Sequence, residues 1–132
     1  MKTILLVNDD PLQASQMMSF LGRQFGDVLR VAGGAEALCL IEQPEFARKL
    51  ALVISAHHAP GIGGPAFVTE LHARIPNVPV LVLGAASEVP ADYGNEHVVF
   101  LPRPVMGEQM LAVTGEILAG RRDGATQKNA VA

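Results

Sequence analysis

Cysteine is all but missing from this 132-residue chain, which has Cys39 alone. An internal disulfide and a cysteine-rich metal site are therefore excluded, and a reducing compartment suits the protein. Positive charge is not in excess either: ten Lys and Arg face thirteen Asp and Glu, for a net charge of −3 and a pI near 5.7. The basic residues are scattered, so no field for nucleic acid arises and DNA binding by this chain alone is not expected. Long apolar runs are lacking too. The opening run Ile4-Leu5-Leu6-Val7 gives way at once to Asn8-Asp9-Asp10, too short for a signal-peptide core or a membrane span. The expectation is a soluble, cytoplasmic protein. There is no Gly-Lys-Ser/Thr phosphate loop, and Gly61, Gly63 and Gly64 stand too close together for a dinucleotide fingerprint, which makes them turn glycines.

What is present is apolar material sufficient for one substantial core, 49% hydrophobic residues against 17% charged. One domain over residues 1–120 is expected, followed by a polar, small-residue tail over 121–132 that is predicted to be disordered. Two kinds of segment alternate along the domain, short β-rich apolar runs and longer stretches with apolar residues at helical spacing. Strands are predicted at Thr3 to Val7, Val28 to Ala32, Leu50 to Ser55, Pro79 to Leu83 and His97 to Leu101. Several are apolar without alternation, as in a parallel sheet covered on both faces. Helix one starts from Asp10 as N-cap with Pro11 behind it, buries Ala14, Met17, Met18, Leu21 and Phe25, and stops at Gly26. Helix two takes Ala35 to Gln43, where Pro44 disturbs its continuation. Helix three runs from Pro65 to about Arg74, a short fourth lies between Ala86 and Tyr93, and the fifth covers Gly107 to Gly120.

Five strands alternating with five helices describe an α/β fold, an open doubly wound sheet of flavodoxin-like size. Ligand sites in such sheets lie beyond the carboxyl ends of the strands. Here those ends are Asn8-Asp9-Asp10, Ala56 to Gly64, Gly84-Ala85-Ala86 and Pro102-Arg103-Pro104.

Taken together, these loops resemble the response-regulator receiver family from Ile4 to about Leu118. Ile4 to Pro11 looks like the opening strand and acidic turn of that family, and Leu52 to Gly64 like the third strand with its Pro-Gly loop. Pro79 to Ala85 resembles the fourth strand, and Phe100-Leu101-Pro102-Arg103-Pro104 the fifth with its Lys-Pro. The resemblance implies five parallel strands in the order 2-1-3-4-5. It also implies a site in which two acidic residues and an acceptor aspartate hold magnesium while a hydroxyl residue and a lysine grip the phosphoryl group.

This sequence departs from that pattern at nearly every site position. The first acidic position is Asn8 and the second Asp9; the acceptor position, four residues before Pro60, is Ala56; the hydroxyl position is Gly84 and the lysine position Arg103. A methyl group can neither attack phosphorus nor ligate a cation. Asp9 and Asp10 are the carboxylates left as metal candidates, with Asp10 better suited to capping the first helix. Magnesium binding is expected to be weak or absent, since the ion seeks one or two carboxylates in near-octahedral geometry. Arg103 either pairs with Asp9 or stays solvated at the rim, and its bond to Pro104 is one that can be cis. His57 and His58 leave the strand in different directions, which disfavours joint ligation, and the Ser55 hydroxyl suits a local bond better than phosphate.

The leading expectation is a non-enzymatic, degenerate receiver in two-component or phosphorelay signalling that works as a phosphorylation-independent interaction module. Its partner would be a histidine kinase, an output protein or a second copy, docking on the face of the predicted fourth helix, fifth strand and fifth helix. The aromatic switch position of the family falls on Phe100, and Leu101, Val105, Met106 and Met110 would supply an apolar patch. The alternative is a small-molecule or anion-binding domain using the cleft at the carboxyl ends of the strands. Phosphotransfer through Ser55, His57 or His58 is a third reading.

Overall fold

A computed structural model of the chain describes residues 2–56, 62, 64–84, 97–102 and 107–120. The apolar runs become five strands: β1 (Thr3–Val7), β2 (Val28–Val31), β3 (Leu50–Ala56), β4 (Val80–Gly84) and β5 (Val98–Pro102). They form one sheet in the order β2-β1-β3-β4-β5, with every pairing parallel. This is the doubly wound order expected. Parallel neighbours need crossover connections, and the described ones carry the helices α1 (Pro11–Phe25), α2 (Gly34–Ile41), α3 (Pro44–Lys49) and α4 (Gly64–Arg74), with α5 (Gly107–Leu118) closing the fold.

Side chains alternate across the strands and meet helices on both sides. Ile4, Leu6, Leu52, Ile54, Leu81, Leu83, Val99 and Leu101 face α1 and α5, which contribute Ala14, Met17, Leu21, Met110, Val113 and Ile117. Leu5, Val7, Val53, Val80, Val82, Val98 and Phe100 face the other way, against Ala37 and Ile41 of α2 and Phe67, Val68 and Leu71 of α4. Double coverage explains why these strands read as unbroken apolar runs.

The start of α1 follows from local chemistry. The Asp10 carboxylate accepts from the backbone N–H groups of Leu12 and Gln13 at 3.0 and 3.3 Å, and Pro11 occupies the first turn, where its missing N–H costs nothing. Gly26, at φ 89°, ends the helix by donating its N–H to the Gly22 carbonyl.

Pro44 acts differently from expectation. Instead of disturbing one helix it opens a second: α2 stops at Ile41, Glu42 and Gln43 form the link, and Pro44 is the first residue of α3. A proline has no N–H to give a preceding turn but is preorganised for a helix start. The predicted helix between Ala86 and Tyr93 and the tail from Arg121 lie outside the described residues.

Three strands run one residue further than periodicity suggested. β3 ends on Ala56, β4 on Gly84 and β5 on Pro102. Ala56 pairs with Leu83, and Gly84 with Pro102. Ala56 and Gly84, singled out in the sequence, therefore lie on the last rungs of the ladder.

Candidate functional site

Register brings three of the predicted site positions to one edge. Val7 lies opposite both Val31 and Ser55, so the next residues, Asn8 and Ala56, stand side by side across about 4.8 Å of strand spacing. Gly84 follows Leu83, the partner of Ala56. Ala56 sits on the central strand with Asn8 on one flank and Gly84 on the other. Its methyl group is buried, at 9% exposure, and no oxygen or nitrogen occupies that position. Ser55 points to the opposite face by the two-residue period. Its buried hydroxyl donates to the Ala56 carbonyl at 3.2 Å. Arg103, His57 and His58 lie outside the described residues.

Asn8 is the best-held residue of the edge. It is 4% exposed, and each of its polar groups is engaged. Its N–H donates to the Val31 carbonyl at 3.0 Å, and its own carbonyl accepts from Arg30 Nε at 2.9 Å. Oδ1 accepts from the Asp10 N–H at 2.8 Å, while Nδ2 donates to Gln13 Oε1 at 2.8 Å and reaches Met17 Sδ at 3.6 Å. The backbone donor of Asp10 fixes which end of the amide is oxygen, and so sends the NH₂ group toward α1. The side chain thus turns to the helix and serves as a bracket between β1 and α1.

The neighbouring carboxylates divide in the same way. Asp10 is consumed by the helix N-terminus, as its Asp-Pro sequence indicated. Asp9 is exposed, and among the described residues no hydrogen bond or ion pair involves its carboxylate. Among the described residues no group of three or more His, Cys, Asp or Glu could hold a metal ion. Gln13, Met17 and Arg30 were missed in the sequence. Arg30 left a trace there, as the one charge within Val28 to Ala32. Gln13 and Met17 left none, because a helix turn sets their distance from Asn8.

The expected docking patch is corrected by its described members Leu101 and Met110, and the switch position Phe100 is buried with them. Phe100, Leu101 and Met110 are 3%, 6% and 3% exposed, and all three belong to the cores on the two faces of the sheet. Met110, Val113 and Ile117 form the inward stripe of α5. Bringing such a side chain back to water costs about 1.5–3 kcal/mol, so these residues hold the fold and offer no free surface. Val105 and Met106 lie outside the described residues. Cys39 is exposed on α2.

No protein-family model and no curated protein sequence matches the chain. Solved structures do. A response regulator receiver domain protein from Clostridium thermocellum superposes with a TM-score of 0.78 at 17% identity, over 92% of this chain and 97% of that one. The signal receiver domain of a signal transduction histidine kinase from Syntrophus aciditrophicus gives 0.77 at 23% identity, over 91% and 92%. The signal receiver domain of an HD domain-containing protein from Pseudomonas fluorescens Pf-5 gives 0.76 at 21% identity, over 91% and 96%. The chain has the fold of response-regulator receiver domains, the class that the order of its loops resembles.

Proposed function

We propose that this chain is a receiver-type module of two-component signalling that has given up aspartyl phosphotransfer and acts by binding a protein partner. One observation carries the reading: at the end of the central strand, flanked by Asn8 and Gly84, stands the methyl group of Ala56. Phosphotransfer needs an oxygen or nitrogen nucleophile within reach of phosphorus, and no neighbour on the sheet supplies one. Ser55 faces the other side and bonds locally.

The same reading makes the module non-enzymatic and cytoplasmic, with a histidine kinase, an output protein or a second copy as its partner. No described helix is long and apolar enough to cross a membrane. Phe100 is held inside the core beside Val80, Val82 and Val98. With Gly84 in place of a hydroxyl residue nothing pulls on it, so one resting state is expected. A ligand shifts an equilibrium only through differential affinity for its states, and among the described residues the acceptor position offers a phosphoryl donor only the Ala56 methyl group.

The test is recovery of partners by the tagged protein from its own cells, with and without acetyl phosphate and magnesium. The same proteins in the same yield support the reading. Recovery that depends on the phosphoryl donor refutes phosphorylation independence, and recovery of no protein at all favours the anion-binding or small-molecule alternative. Replacing Met106, which lies outside the described residues, probes the docking face.

A further inference from the structure

The turn after β1 is joined to α1 by protein atoms alone. Asn8 Oδ1 holds the Asp10 N–H, and Nδ2 is shared between Gln13 Oε1 and Met17 Sδ. Asp10 in turn caps the helix, and Arg30 ties the same peptide to the edge strand β2. The bonds form one continuous chain from β2 through β1 into the second turn of α1.

The family resemblance implies a magnesium ion at this edge, and the residues present do not suit it. Magnesium asks for oxygen ligands in near-octahedral geometry, usually with one or two carboxylates. Ala56 and Gly84 have no side-chain oxygen. The single oxygen of the Asn8 amide is neutral and already accepts a backbone proton at 2.8 Å. Oδ1 of Asp10 is taken by two backbone donors at the helix start, which among the described residues leaves exposed Asp9 as the one carboxylate of this turn without a hydrogen bond. An aspartate at position 8 would fare worse than asparagine within this network, because it would lose the Met17 contact, sulfur having no proton to donate, and would require the Gln13 amide to turn its NH₂ group inward.

We infer that Asn8 is a built-in brace: its amide, anchored by Gln13 and Met17, joins β1 to α1 where a divalent cation would otherwise act, so that this edge holds its shape without an ion. Restoring a carboxylate at Ala56 alone then leaves the Asn8 oxygen engaged with the Asp10 N–H and gives a weaker cation site than restoring carboxylates at both positions. The location of the ion rests on the receiver-type reading above, whereas the brace stands on its own bonds.

Thermal melts of the full chain, with magnesium chloride or with potassium chloride of equal ionic strength, test both halves. Gln13→Leu removes the acceptor of the Asn8 amide and is expected to lower Tm by about 3–5 °C in either salt, the effect of roughly one net hydrogen bond in a domain of this size. Wild type should melt alike in the two salts, and Ala56→Asp should gain less from magnesium than the double variant. The double variant Asn8→Asp, Ala56→Asp should melt lower than Ala56→Asp in potassium and regain several degrees in magnesium. A Gln13→Leu variant that melts with wild type overturns the brace. An Ala56→Asp variant that gains as much from magnesium as the double variant overturns the claim that Asn8 keeps the ion out. A folded double variant indifferent to magnesium, with Gln13→Leu still melting low, overturns the cation half and places the fault in the receiver-type reading. Should the double variant fail to fold, the Gln13→Leu and wild-type melts still decide.

Discussion

Replacing Thr114 by valine should make the protein more stable. Thr114 lies on the inner face of α5 and is 0% exposed, and its hydroxyl finds no hydrogen-bond partner among the described residues. Leaving a buried hydroxyl unpaired costs about 1–3 kcal/mol. Valine has the same shape, and its helix propensity matches that of threonine, so the exchange swaps an unpaired oxygen for a methyl group in the same space. A gain of about 1 kcal/mol is expected, or about 3–5 °C in Tm for a domain of this size. Urea unfolding followed by circular dichroism measures it, with an unchanged slope showing that the transition remains the same. Thr114→Ala serves as control and should lose stability, because it also removes a packed methyl. A Thr114→Val variant less stable than wild type would refute the reasoning and show that the hydroxyl has a partner, with the carbonyl four residues back along α5 the first place to look.

Gly115→Ala should stabilise by about 0.5–1 kcal/mol, since alanine suits a helix interior better than glycine and among the described residues the added Cβ would meet the Phe25 ring alone, at 3.8 Å; thermal melts read this directly. Met110→Ala should cost about 2–5 kcal/mol in urea unfolding, as for other buried methionines, because Met110 is 3% exposed in the α5 stripe. A loss below about 0.5 kcal/mol, the range of ordinary surface changes, would return Met110 to the docking face.

Much of this fold can be read in the sequence because its signals are local and periodic. Asp10-Pro11 and Gly26 mark both ends of α1, and the unbroken apolar strands foretell a sheet covered on both faces. The site positions Asn8, Ala56 and Gly84 were legible through the order of loops, and parallel register places them together. What escaped depends on the third dimension. Met110 and Leu101 have the composition of a docking patch, and only packing shows that both are core. In the sequence Asn8 is only a departure from the first acidic position. Its role as a bracket appears once Gln13 and Met17 come round the first turns of α1. Pro44 reads as a breaker because proline ends one helix and starts another with the same ring, and the sequence does not say whether five more helical residues follow.

Intact-mass spectrometry after incubation with acetyl phosphate and magnesium puts the vacant nucleophile to its most direct trial. The wild-type chain should keep its unmodified mass, whereas a phosphoryl adduct, above all one lost when Ser55, His57 or His58 is replaced, would contradict the account.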